Sequence, residues 1–240
     1  MKTDCRHWTE TAEEWIRWAR QPGHDAFWHF RATFAEYIGA GDGKSALEIG
    51  CGEGRVCREL KKLGFRVTAS DVVPAMVEAA READSADEYV VADAAALPLK
   101  SSSFDLVVAY NSLMDIEDMP AAVREAGLLL KPGGTLFISV VHPFRDRGRF
   151  TGSEPDSPFM IEGSYYGREK FEAAEEINGL KMHFMGWSMP LEDYAAAIEE
   201  AELGITSIRE PLPDINEASR FRSWTRIPLF LWMKVRKFCG

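Results

Sequence analysis

Leu47-Glu48-Ile49-Gly50-Cys51-Gly52-Glu53-Gly54-Arg55 decides how this chain is read. A short apolar run stops at a glycine, two more glycines follow at alternate positions, and a helical pattern begins. Glycine lets the backbone bend sharply and lets a ligand approach the main chain closely. A helix leaving such a turn presents unpaired N–H groups at its first turn. The stretch is therefore strand, ligand-facing turn and helix. A dinucleotide fingerprint, G-x-G-x-x-G, places its third glycine where this chain has Arg55; the glycines here are 50, 52 and 54. Glu48 ahead of the turn does not suit a pyrophosphate. It suits an ammonium group or a loop that needs an acceptor. Cys51 reads as a small filler of the turn rather than a nucleophile, although a helix N-terminus can lower a thiol pKa.

Outward from the turn, short apolar runs at 46–49, 65–70, 89–92, 104–110 and 135–141 predict five strands. Helical stretches at 55–63, 74–82 and 118–130 separate most of them, with Pro74 and Pro120 in first turns. Strands alternating with helices and apolar on both faces predict a parallel sheet of the α/β class. Right-handed crossovers then give a doubly wound layout. Before the first strand, residues 8–39 read as helical and aromatic, broken at Pro22-Gly23. After the fifth strand the rhythm is lost over 144–187. Asn178-Gly179 there predicts a tight hairpin turn between strands at 165–177 and 180–187. A helix at 191–201 and strands at 205–209 and 229–235 return to the sheet. The expected organisation is one domain: a helical cap (1–43), a ligand-binding core (44–143), an insertion or lid (144–187) and the rest of the sheet (188–240).

Two further carboxylates fall at strand ends. Asp71 follows the second strand, where a carboxylate can accept from both hydroxyls of a ribose; its other reading is a helix N-cap ahead of Pro74. Asp93, followed by Ala94, ends the third strand and is placed to accept from an adenine amino group, or is a solvated loop carboxylate. Three acidic residues at three consecutive strand ends, facing one crevice, are more specific than any one of them.

Composition narrows the partners. The formal net charge is −10, which disfavours a phosphate backbone as ligand; the basic residues Arg220, Arg222, Arg226, Lys234, Arg236 and Lys237 read as a solvated edge. The four cysteines (5, 51, 57 and 239) include no Cys-x-x-Cys and no accompanying histidine cluster, so neither zinc nor a disulfide framework is expected. The N-terminal residues lack a signal-peptide pattern and the apolar run 227–233 is too short for a bilayer, so the expectation is a cytoplasmic protein without a membrane span.

Together, Glu48-x-Gly-x-Gly-x-Gly, Ser70-Asp71, Ala92-Asp93-Ala94, Phe104-Asp105-Leu106-Val107 and Leu130-Lys131-Pro132-Gly133-Gly134 resemble the class I S-adenosylmethionine-dependent methyltransferases, and among them the small-molecule type of ubiquinone and menaquinone biosynthesis. The resemblance is strong over 44–142 and loose over 187–236. It implies a Rossmann-like seven-stranded sheet with its last strand antiparallel. It implies S-adenosylmethionine as cofactor, S-adenosylhomocysteine as product, and a small-molecule methyl acceptor. It places Gly50, Gly52 and the rest of the turn (Cys51, Gly54) along the methionine part, Asp71 on the ribose, and Asp93 and Ala94 on the adenine. Val72 and Met76 flank the ring, and Asn111, Ser112 and Asp115 lie near the sulfonium. For a base, His142 directly after strand five is the candidate, against a positioning or structural role. Arg31 or His29 is a candidate for the cofactor carboxylate. His183 on the hairpin is a pocket residue or an exposed strand position. The aromatics of 159–187 are expected in the acceptor pocket. Two other functions stay open: a cofactor-binding protein without catalysis, and a nicotinamide-dependent oxidoreductase, against which the glycine spacing argues.

Overall fold

The computed structural model describes residues 3–214 and 219–237; Cys239 lies outside them. Three helices come first: α1 (Thr3–Glu10), α2 (Ala12–Arg20) and α3 (Phe27–Ile38), with Pro22-Gly23 in the break between the last two. The alternating part follows as β1 (Ser45–Ile49), α4 (Arg55–Lys62), β2 (Arg66–Asp71), α5 (Pro74–Glu82), β3 (Glu88–Val91), β4 (Phe104–Tyr110), α6 (Met119–Leu129) and β5 (Leu130–Val141). β5 starts at Leu130 rather than at 135, because Phe104 pairs with Leu130 before a register shift carries the pairing on to Leu106 and Thr135. Then come α7 (Pro143–Asp146), β6 (Gly148–Phe150), β7 (Phe159–Ile161), β8 (Glu169–Ile177), β9 (Leu180–Ser188), α8 (Leu191–Glu200), β10 (Leu203–Arg209) and β11 (Phe230–Lys237).

Seven strands form one sheet in the order β10-β11-β5-β4-β1-β2-β3. From β5 to β3 the neighbours are parallel, and β11 runs antiparallel to both β5 and β10. This is the Rossmann-like sheet with its last strand reversed. Side chains of a strand alternate between faces, and both faces here are apolar. Leu47, Ile49, Val107 and Ile138 pack with α6 and α8 on one side. Ala46, Val108 and Phe137 pack with α3 and α4 on the other. Phe34 of α3 meets Tyr110, Phe137 and Trp232 with ring centroids 5.3, 5.4 and 6.3 Å apart, so the aromatics of this helix are core.

The two preceding helices reach the strand ends instead. Arg20 of α2 places Nε 3.1 Å from Glu53 Oε2, and Arg58 of α4 gives the same carboxylate two bonds of 2.8 and 2.9 Å. Glu53 is buried, so removing either partner would leave a desolvated charge less compensated. The clamp holds α2 against the glycine turn. Across from it, β8 and β9 form a hairpin whose Asn178 and Gly179 take φ of 52° and 78°, as a two-residue primed turn requires. The first strand begins at Glu169 rather than at 165. The short β6–β7 pair and α7 were not anticipated, since three-residue strands carry no periodicity. Among the described residues no helix is long and apolar enough to cross a membrane.

Candidate active site

The C-terminal ends of β1, β2, β3 and β4 open into one cavity of about 450 Å³, within the range of small-molecule sites. Its floor is the glycine turn. Cys51 N–H donates to Ser70 O (2.9 Å), and Gly52 N–H donates to Asp71 Oδ2 (2.9 Å). Asp71 Oδ1 accepts from Val73 N–H at 2.9 Å, so one carboxylate fastens the turn to the loop that opens α5. Each oxygen keeps a lone pair for another donor. Burial pushes the Asp71 pKa up against the pull of these N–H groups. Ser112 Oγ donates to Ile49 O at 2.7 Å and seats the end of β4 beside β1. Asn111 sits at φ 52° and its side-chain oxygen accepts from Ser139 Oγ at 2.7 Å.

Glu48 is buried in the same wall, its Oε2 accepting from Cys57 Sγ at 2.8 Å. Burial raises its carboxyl to about 8, outweighing the Cys57 bond and the nearby Arg55. A cation placed beside such a group favours its ionised form. Val72, Met76, Ala92 and Ala94 give an apolar slot beside Asp71. An acceptor for an ammonium, a carboxylate for hydroxyls and an apolar slot for a flat ring fit S-adenosylmethionine.

Glu48, Gly50, Cys51, Gly52, Asp71, Val72, Met76, Ala94, Asn111, Ser112 and Asp115 all line this cavity. Three expected residues do not. Gly54 faces Ser85, whose Cβ and Oγ lie 2.4 Å from where a side chain would start, so it serves the packing of the turn. Asp93 is not in the wall; its Oδ1 accepts from Ala95 N–H at 3.0 Å and shapes the loop that carries Ala94. His142 is the larger correction. Its Nδ1 accepts from Phe144 N–H (3.2 Å) as the cap of α7, and its Nε2 lies 3.0 Å from Glu210 Oε1. Both ring nitrogens are spent outside the cavity, so His142 is not placed to take a proton from a ligand. Burial lowers its pKa first, with Glu210 opposing. The folded state therefore binds fewer protons, and its contribution to stability is present above pH about 6.5 and lost as pH falls. His142→Gln is expected to flatten that acid-side limb in denaturation measurements between pH 5 and 8.

Arg31 and His29 are also displaced from the expected place. Arg31 lies 3.6 Å from Glu59 on the outer face of α3, and His29 is buried with its ring 4.5 Å from Phe221. His183 is an exposed strand position, its Nδ1 2.8 Å from Glu14 Oε2. Of the insertion aromatics, Phe171 and Phe184 line the cavity whereas Tyr165 and Tyr166 do not.

The rest of the wall comes from residues far apart in sequence: Trp8 and Trp15 from the first two helices, Asp115 after β4, Arg145 of α7, and Phe171 and Phe184 from the hairpin. Asp115 ends a single 3₁₀ turn, Leu113–Asp115. A Cβ at Gly186 would lie 2.7 Å from Asp115 Oδ1 and 3.0 Å from the Phe171 ring, so the carboxyl and the ring both pack into the space that residue 186 leaves by lacking a side chain. Burial raises the Asp115 pKa well above the carboxylate range, helped by Asp146, Asp4 and Asp71. Sequence reasoning missed Arg55, Tyr110 and Arg145 as wall residues, whereas Trp8 and Trp15 belong to the aromatic helical cap expected over the crevice. Arg55 had a signal, its place directly after the turn, and so did Tyr110, at the end of a strand.

Comparison with known proteins agrees with the geometry. Residues 47–138 match the family described as methyltransferase domain. A malonyl-[acyl-carrier protein] O-methyltransferase of Enterobacter lignolyticus is 31% identical over 172 residues, 68% of this chain and 66% of that protein. A ubiquinone biosynthesis O-methyltransferase of Xanthomonas oryzae pv. oryzae is 29% identical over 165 residues, 66% of this chain and 67% of the relative. The chain thus spans just under two thirds of the Enterobacter relative's length. A solved S-adenosylmethionine dependent methyltransferase of Mesorhizobium loti superposes with a TM-score of 0.68 at 22% identity, covering 90% of this chain and all of that one. Matched motif, sheet and strand-end cavity agree: residues 47–138 form a methyltransferase domain, in a fold shared with the solved S-adenosylmethionine dependent methyltransferase.

Proposed function

We propose that the chain methylates a small-molecule acceptor, at an oxygen atom, within this cavity. The observation that carries the reading is that Glu48, Asp71 and the glycine turn share one cavity with the half-buried Asp115 and the hairpin aromatics. Bound there, S-adenosylmethionine supplies a methyl group on a sulfonium, which needs only a nucleophile held in line and close. Glu48 would meet the ammonium as a carboxylate, its proton passing to solvent as the cation enters. Asp71 accepts from the ribose hydroxyls, and Val72, Met76 and Ala94 cover the adenine. Cys51 and Gly52 present backbone to the amino-acid end, and Asn111 and Ser112 pass beside the sulfonium. Asp115 takes the proton that the acceptor loses.

The names of the two relatives support an oxygen acceptor. A net charge of −10 and a site covered by α1, α2 and the hairpin favour a small molecule over nucleic acid. Residues 1–43 act as cap, 44–143 as cofactor-binding core, 144–187 as lid and 188–240 as the completion of the sheet. Free Cys5, Cys51 and Cys57 suit a reducing cytoplasm.

Calorimetric titration with S-adenosylhomocysteine and, separately, NADH tests the cofactor; binding of NADH alone would reject the reading. A screen of hydroxyl and carboxyl acceptors with mass-spectrometric detection tests catalysis, and cofactor binding with no methylated product would leave a binding protein. Asp115→Asn is expected to lower turnover on the order of 100-fold while S-adenosylhomocysteine affinity stays within about twofold. Because burial raises the Asp115 pKa, wild-type activity should rise with pH as the carboxyl ionises, and the variant should lack that limb. An identical pH profile in both proteins would remove Asp115 from proton transfer.

A further inference from the structure

The cavity wall carries a cation and a phenol that the assignments above leave unused. Arg55 opens α4 and is 8% exposed, its guanidinium carbon 4.8 Å from the centre of the Trp15 ring and 5.0 Å from that of Phe27. Its Nη1 lies 2.7 Å from Asp25 Oδ1 but is not aligned to hydrogen-bond there. That Asp25 oxygen already accepts from Phe27 N–H at 2.7 Å. Tyr110 ends β4 with its ring 5.4 Å from the same Phe27, and its hydroxyl is buried without a hydrogen-bond partner. Burial keeps that hydroxyl protonated, so it is available as a donor. Both residues line the cavity.

Arg55 thus holds an ion pair but no hydrogen bond through Nη1, and the Tyr110 hydroxyl holds no partner; native chains leave few buried donors so. We infer that Arg55 and Tyr110 form a carboxylate-binding subsite at one end of the cavity. The planar edge of a guanidinium matches two carboxylate oxygens, and stacking between two rings fixes its plane. Asp25 offsets part of the charge, which suits a monoanion better than a phosphate dianion. The carboxylate is that of the cofactor's amino-acid tail or one borne by the acceptor. The inference rests on the cavity being the methyl-transfer site.

The test compares wild type, Arg55→Met and Tyr110→Phe by calorimetry with S-adenosylhomocysteine and with 5′-methylthioadenosine, which lacks the amino-acid tail. A further arm titrates benzoate into the protein saturated with S-adenosylhomocysteine, read by tryptophan fluorescence. Tyr110→Phe keeps the ring and should leave the free protein's melting temperature unchanged or higher, because the lost hydroxyl has no partner. If the tail is the source, Arg55→Met weakens S-adenosylhomocysteine roughly 10- to 100-fold and Tyr110→Phe roughly three- to tenfold, with 5′-methylthioadenosine unaffected. If the acceptor is the source, both nucleosides bind all three proteins alike and benzoate binding drops in both variants. No dependence on either residue in either arm overturns the subsite. A wild-type chain that binds neither nucleoside counts against the methyl-transfer reading itself, and benzoate titration of the free protein then decides the subsite alone.

Discussion

Asp71→Ala is expected to weaken S-adenosylhomocysteine binding by about 2–3 kcal/mol, on the order of 30- to 150-fold. The effect has two parts. The ribose loses its acceptor, and the glycine turn loses the bond from Gly52 N–H, at 2.9 Å, that sets its shape. Asp71→Asn separates them. An amide accepts through one oxygen only, so its NH₂ must face either Gly52 N–H or Val73 N–H, donor against donor. The asparagine variant should therefore bind nearly as poorly as alanine while folding with little loss. Calorimetry beside a denaturant titration measures both; wild-type affinity in either variant would remove Asp71 from the ribose site.

Gly50→Ala should cost about 2–4 kcal/mol of stability and abolish cofactor binding. Gly50 has φ 69°, and an added Cβ would lie 2.5 Å from Ser112 Cβ and 3.2 Å from its Oγ. Ser112 cannot yield freely, because its hydroxyl holds Ile49 O at 2.7 Å. Gly43→Ala is the matched control: φ is 78°, but nothing lies within 4 Å of the added carbon. It should cost only the backbone term, about 1 kcal/mol. Equal midpoints for the two variants in urea denaturation would show that close approach to Ser112 is not what demands glycine at position 50.

The fold was legible because its signal is local. Apolar runs such as Leu106-Val107-Val108-Ala109 are buried on both faces, and each strand carries that pattern within a few residues. The strand-end part of the site was legible for the same reason: Glu48, Asp71 and the turn sit at strand ends that topology brings together. The rest of the wall is assembled from α1, α2, α7 and the hairpin, whose mutual approach leaves no trace in spacing. His142 shows the limit from the other side. It follows β5 directly, yet its N–H donates to Leu229 O at 2.9 Å and its ring turns to Glu210 and to the cap of α7. Proximity along the chain fixed the position of its backbone and left the direction of its side chain open. Arg31 failed similarly: the apolar stripe Phe27, Phe30 and Phe34 turns into the core, and Arg31 is carried outward to Glu59.

The near-contact between Asp115 and position 186 makes those two sites one unit of variation. A methyl group at 186 meets both the Asp115 carboxyl, at 2.7 Å, and the Phe171 ring, at 3.0 Å, so it finds room only when 115 and 171 yield together. The order in which substitutions arrive thus decides which acceptor shapes are reachable, and a library that diversifies the hairpin alone will lose variants that a paired library would keep.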